Sequence, residues 1–161
     1  MPYQTFAAMP EHSHLWIYQS PRALNNNEIE WLMAENKQFI NQWTSHQHTL
    51  TASAIFLQQH FLILAVDEQS AGASGCAVDK SVAFVQRMGQ QLQVDFFDRW
   101  QFAFLDKDKL QVVDKEQFAQ LYQQGKINKE TKVFNNLITK KAELATHWQV
   151  PLAQSWHTRF V

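Results

Sequence analysis

Leu50-Thr-Ala-Ser-Ala-Ile-Phe-Leu57, Gln58-Gln-His60 and Phe61-Leu-Ile-Leu-Ala-Val66 decide the fold class. In the first run Leu50, Ala52, Ala54 and Phe56 alternate, the pattern of a half-buried strand. The last run is apolar on both faces, which suits a central strand covered on both sides. A short polar break separates them, so they read as a hairpin, although the Asn-Gly turn signature is missing.

Working outward, Leu15-Trp-Ile-Tyr18 is a β-rich run closed by Pro21. Asn25, Asn26 and Asn27 offer an N-cap, and Ile29, Leu32, Met33, Asn36, Ile40 and Trp43 recur at helical spacing, predicting a helix to about Gln42. After Val66 comes the loop from Asp67 to Ser81. Val78, Val82, Val85, Met88 and Leu92 then space as a second helix, and Phe102 to Leu105 is a further strand. The order β-α-β-β-α-β is that of the split βαβ, or ferredoxin-like, fold. Leu110 to Val113 follows as a strand. Asp114 with Gln117 caps a helix carrying Phe118, Leu121 and Tyr122, and Gly125 stands at its C-terminal cap. Lys132 to Asn135 is a brief strand, and a short helix is expected from Thr139 to His147. The expectation is an α+β protein: a ferredoxin-like part over residues 1–99, an αβ unit packed on it over 100–137, and a docked C-terminal tail over 138–161, forming one compact globule.

Composition excludes several functions. The 161 residues are 45% hydrophobic and 18% charged, with twelve Phe and six Trp, which is a globular balance. Fourteen basic residues against fifteen acidic ones give a formal charge of -1, so no long-range pull toward nucleic acid or an anionic membrane exists. One cysteine excludes an intrachain disulfide. The N-terminus carries no signal-peptide pattern and no apolar run is long enough to span a bilayer. These features place the chain in the cytoplasm, with no membrane and no nucleic acid as partner.

Two resemblances follow. Trp100-Gln-Phe102, the hairpin after it, Asp114 to Leu121, Gly125-Lys-Ile127 and Thr131-Lys-Val133-Phe134 resemble a bacterial GYF-like domain. Such domains bind proline-rich peptides on an aromatic surface. The resemblance implies a protein or peptide partner, with Trp100, Phe102 and Tyr122 as its contacts. The Gly-Pro pair usual before the helix is replaced by Gln111-Val-Val113. The whole chain also resembles a small uncharacterised bacterial family, through Val66-Asp-Glu68, Ser74-Gly-Cys76 with Asp79, Phe134-Asn-Asn-Leu137, Ser155-Trp-His157 and Arg159-Phe160. Its members are often labelled "ABC transporter ATPase". Phosphate binding in such an ATPase needs G-x-x-x-x-G-K-[ST], and the sole Gly-Lys, Gly125-Lys126, precedes Ile127. The residues therefore do not support that label.

The strongest chemical candidate is the loop at the second helix. A thiol at a helix start feels the positive end of the dipole, so Cys76 is a candidate nucleophile, with Asp67 and His157 as its candidate partners. Ser74 and Gly75 would present amides to an anion, with Asp79 and Ser81 in the first turns and Trp156, His157 and Arg159 as the opposite wall. A lone cysteine is more often a small buried hydrophobe, a nearby Asp raises a thiol pKa, and Asp79 and Ser81 also serve as caps. His12-Ser-His14 and His46-Gln-His48 each put two imidazoles on one side of a strand, but without Cys or clustered acids nearby no metal is assigned. No cofactor is implied. The aromatics are at core spacing, and without a basic face they make no RNA platform. The leading functional reading is a non-enzymatic binding protein. The alternative is a small enzyme or anion-binding protein built on Cys76 and His157. The oligomeric state is not legible.

Overall fold

The computed structural model describes residues 3–45, 47–69 and 72–161. It is an α+β fold. The chain divides into two units: Met1–Phe97 with Thr139–Ala142, and Asp98–Ile138 with Glu143–Val161. Among the described residues, no helix is long and apolar enough to cross a membrane.

The first unit holds β1 (His14–Gln19), α1 (Asn26–Gln42), a ribbon of β2 (Thr44–Ser45) with β3 (His48–Thr49), β4 (Ala52–Leu57), β5 (Phe61–Val66) and α2 (Gly75–Leu92). The sheet order is β1-β5-β4, antiparallel throughout. All six residues of β5 are 0% exposed, so it is the central strand that its apolar run predicts. The turn after β4 lacks Asn-Gly because Gln58 and Gln59 take the left-handed conformation themselves, at φ 52° and 62°. Asn25 caps α1 with a capping box: its side chain accepts from the Glu28 amide at 2.9 Å, and Glu28 accepts from the Asn25 amide at 3.0 Å. Arg22 grips the same carboxylate at 2.6 and 3.0 Å and pulls the Glu28 pKa down to about 2. Both helices close one face of the sheet, where Leu32, Ile40, Leu62, Leu64, Phe84 and Val85 form the core, and Phe39 stacks on Phe84 at 4.4 Å. Burying each such side chain contributes about 1.5–3 kcal/mol.

Among the described residues, three strands of the ferredoxin-like order are therefore present, and the fourth is not. That strand should lie outside β1. Residues 101–106 pair in another sheet instead, and the edge of β1 meets the returning chain, with Leu15 donating to the Thr139 carbonyl at 2.8 Å and a bridge from His14 to Lys140. Strand order along a chain does not reveal which sheet a strand joins.

The second unit holds β6 (Gln101–Asp106), β7 (Lys109–Asp114), α3 (Lys115–Gln123), β8 (Lys132–Phe134) and β9 (Gln149–Pro151), with sheet order β7-β6-β8-β9. Lys107 and Asp108, both at positive φ, make the two-residue β6–β7 turn. Asp114 caps α3 by accepting from the Gln117 amide at 2.7 Å. Gly125 ends it at φ 72°, where a side chain would be strained. Phe118 is fully buried, 5.2 Å from Phe102 and 5.9 Å from Phe104 by ring centroids. The helix expected over Thr139–His147 does not form. Lys141–Leu144 is a single 3-10 turn. The tail supplies β9 and two further 3-10 turns, Leu152–Gln154 and Trp156–Phe160.

Candidate functional site

The second unit carries an aromatic surface at the open end of the β6–β7 hairpin. Trp100 precedes β6, and its amide donates to the Asp98 carboxylate at 3.0 Å, which sets the turn into the strand. Its indole is 55% exposed, unusual for so large an apolar group. It is not loose. The Lys115 Nζ sits 4.6 Å above the ring, and Phe160 meets it edge-on at 5.8 Å. A cation over an exposed indole contributes about 0.5–1 kcal/mol. Phe160 in turn packs on Phe102 at 5.3 Å and on Trp156 at 6.1 Å.

Beneath this surface lies a buried imidazole. His157 is 1% exposed, stacked on Trp156 at 3.8 Å and set edge-on to Phe102 at 5.1 Å. Its Nδ1 is 2.6 Å from the Ser155 hydroxyl. Desolvation pushes its pKa down to about 4, so the ring is neutral at pH 7. Trp156 Nε1 donates to Asn135 at 3.0 Å and Trp148 Nε1 to Asn136 at 2.9 Å. The Trp156–Asn135 bond ties Ser155-Trp-His157 to Phe134-Asn-Asn-Leu137, two motifs that are apart in sequence.

The partner-contact candidates separate. Trp100 is exposed, Tyr122 is half-buried against the core, and Phe102 is 1% exposed. Phe102 is thus a support and not a contact, because its side of β6 is roofed by Phe118 of α3. Lys115 and Phe160 complete the surface instead. Neither has a spacing signal, since Phe160 lies sixty residues beyond Trp100.

The loop candidates fall in the first unit, and Ser70 and Ala71 lie outside the described residues. α2 begins at Gly75, so Cys76 is in its first turn, and it is exposed. The cap is Ser74, whose hydroxyl accepts from the Ala77 amide at 3.2 Å. The Ser74 amide is bound to the Ser45 hydroxyl at 3.0 Å and offers nothing to an anion. A Cβ at Gly75 would meet nothing within 4 Å, so the turn does not require glycine there. Asp79 is exposed. Ser81 faces inward, donating to the Val78 carbonyl at 2.7 Å and bonding to the buried Tyr18 hydroxyl, whose pKa burial raises. His157, Trp156 and exposed Arg159 belong to the second unit, whereas Cys76 and Asp67 belong to the first.

Asp67 has another partner. His12 Nε2 lies 3.0 Å from its carboxylate, and His14 Nδ1 lies 2.7 Å from Glu68. The acids missing beside the His12–His14 pair in sequence are supplied by the end of β5. Among the described residues no group of three or more His, Cys, Asp or Glu side chains converges to hold a metal. His46 of the other pair lies outside the described residues.

Compared with known protein families, curated proteins and solved structures, the chain matches none.

Proposed function

We propose that the chain is a non-enzymatic binding protein whose second unit docks an extended segment of a protein partner on the surface around Trp100. The observation that carries this reading is the combination at Trp100: an indole 55% exposed yet held from two sides by Lys115 and Phe160. A rigid aromatic with a polar edge gives large contact area at low entropic cost, and Trp is the residue most enriched in interface hot spots. The resemblance of Trp100–Phe134 to a GYF-like domain points the same way, toward a proline-rich segment. The enzymatic reading ranks below it, because His157 lies in the core with Nδ1 engaged and the Ser74 amide is taken.

A decaproline peptide is the probe. Titration to ~1 mM, followed by amide and indole NMR, should shift the signals of Trp100, Lys115 and Phe160 first, and Trp100→Ala should abolish those shifts while leaving the circular dichroism unchanged. Shifts centred elsewhere, or none at that concentration, would reject the reading.

A further inference from the structure

Among the described residues Trp100 is the one exposed tryptophan, and a cation of the same chain already sits on it. The hairpin sets up that contact. Gln101 pairs with Asp114, so Trp100 and Lys115, one residue further out, stand across from each other. Lys115 is also the first residue of α3. A cation there opposes the positive end of the helix dipole, where an acid is favoured, so the helix gains nothing from it. The ammonium instead meets the Trp100 ring, 4.6 Å from its centroid, and Glu116 Oε1 at 4.0 Å.

Both contacts are made in the open. The Lys115 side chain is 38% exposed and that of Glu116 is 74% exposed. Water competes for an ammonium in such a place, so a better cation can replace it. Lys115 thus shows what the indole accepts: a cation with a carboxylate beside it. Net charge does not choose the occupant, because Asp98, Asp114 and Glu116 offset Arg99, Lys115 and Arg159 in the flanking sequence. The exchange itself chooses. An uncharged side chain does not return the contact that Lys115 gives up. Another lysine returns it with no surplus. A guanidinium returns more, because it is planar, stacks flat on an indole, is more weakly hydrated than an ammonium, and can fork onto a carboxylate such as Glu116.

We infer that the Trp100 ring is an arginine seat, held by Lys115 in the free protein and given up to an arginine of the partner segment. This rests on the binding reading above and names the residue that the partner brings to the indole. Lys115 then has two effects. It keeps the indole in place while the site is free, and it selects against occupants that bind the ring less well than it does.

The probes are three heptapeptides with arginine, lysine or citrulline between two runs of three prolines. Citrulline keeps the planar shape of arginine and loses its charge. Each is titrated to ~1 mM against the whole chain and followed at the Trp100 indole by NMR. The arginine peptide should bind about two- to fivefold tighter than the other two, the ratio that a cation on an exposed ring supplies. Lys115→Met keeps the apolar stem and removes the ammonium. It should tighten arginine binding by about the same factor, because nothing has to be displaced. Trp100→Ala should erase the ranking of the three peptides with the circular dichroism unchanged. Equal binding of the arginine and citrulline peptides, or a Lys115→Met variant that binds arginine no tighter, would overturn the inference. Decaproline shifts at Trp100 without an arginine preference would remove the arginine seat and leave the aromatic reading. An arginine preference where decaproline has no effect would remove the proline-rich segment and leave the seat. No shift at Trp100 with any peptide would remove both.

Discussion

Acidification should destabilise the second unit through His157, by an amount that can be worked out. The imidazole is 1% exposed among Phe102, Phe118 and Trp156, with its pKa pushed down from 6.5 to about 4 by desolvation. Above pH 6.5 the ring is neutral in both folded and unfolded chains and carries no penalty. Between pH 6.5 and 4 the unfolded chain takes up a proton that the folded core refuses, so stability falls as pH falls. Below pH 4 both forms are protonated and the loss is complete, at about 3 kcal/mol. Carboxylates titrate in the same range, so the reading needs a reference that lacks only this imidazole. His157→Asn supplies one, because its amide reaches the Ser155 hydroxyl without ionising. Urea denaturation of the whole chain, with amide exchange of Phe102 and Phe118 as reporters of the second unit, gives both stabilities at each pH. At pH 7.5 the variant should be the weaker by ~1–3 kcal/mol, through lost ring packing. The gap should narrow by about 2–3 kcal/mol on reaching pH 4.5. A gap that stays constant would refute a buried neutral imidazole at this position. His60, whose pKa is also lowered by burial, acts in the same direction but cancels between the two proteins.

Trp43→Phe removes the indole N–H that donates to the Ala77 carbonyl at 2.9 Å, in a fully buried site. It should cost about 1–3 kcal/mol in urea denaturation and speed amide exchange in the first turn of α2, whose backbone the bond anchors; unchanged exchange there would show that Trp43 acts only by packing. Cys76 is exposed, so a maleimide should label the native protein to completion with no loss of helical circular dichroism. Labelling that requires denaturant would place the thiol inside.

Much of the architecture was legible because it is local. The continuous apolar run Phe61–Val66 marked the central strand, Asn25 with Glu28 marked the start of α1, and Gly125 marked the end of α3. Each signal acts within a few residues, through burial, a cap bond or a positive φ. The site was less legible. Phe102 reads as a surface aromatic until Phe118 is seen over it, and Ser74 reads as an anion donor until Ser45 is seen holding its amide.

The sequence by itself determined the α+β class, the helix caps, the central strand and the absence of a nucleotide-binding loop, since all of these are properties of neighbouring residues. Tertiary structure alone decided that residues 101–106 leave the first sheet and that Phe160 braces Trp100. Those outcomes depend on contacts between residues tens of positions apart, where chain connectivity sets no register and only the packed fold selects the partner.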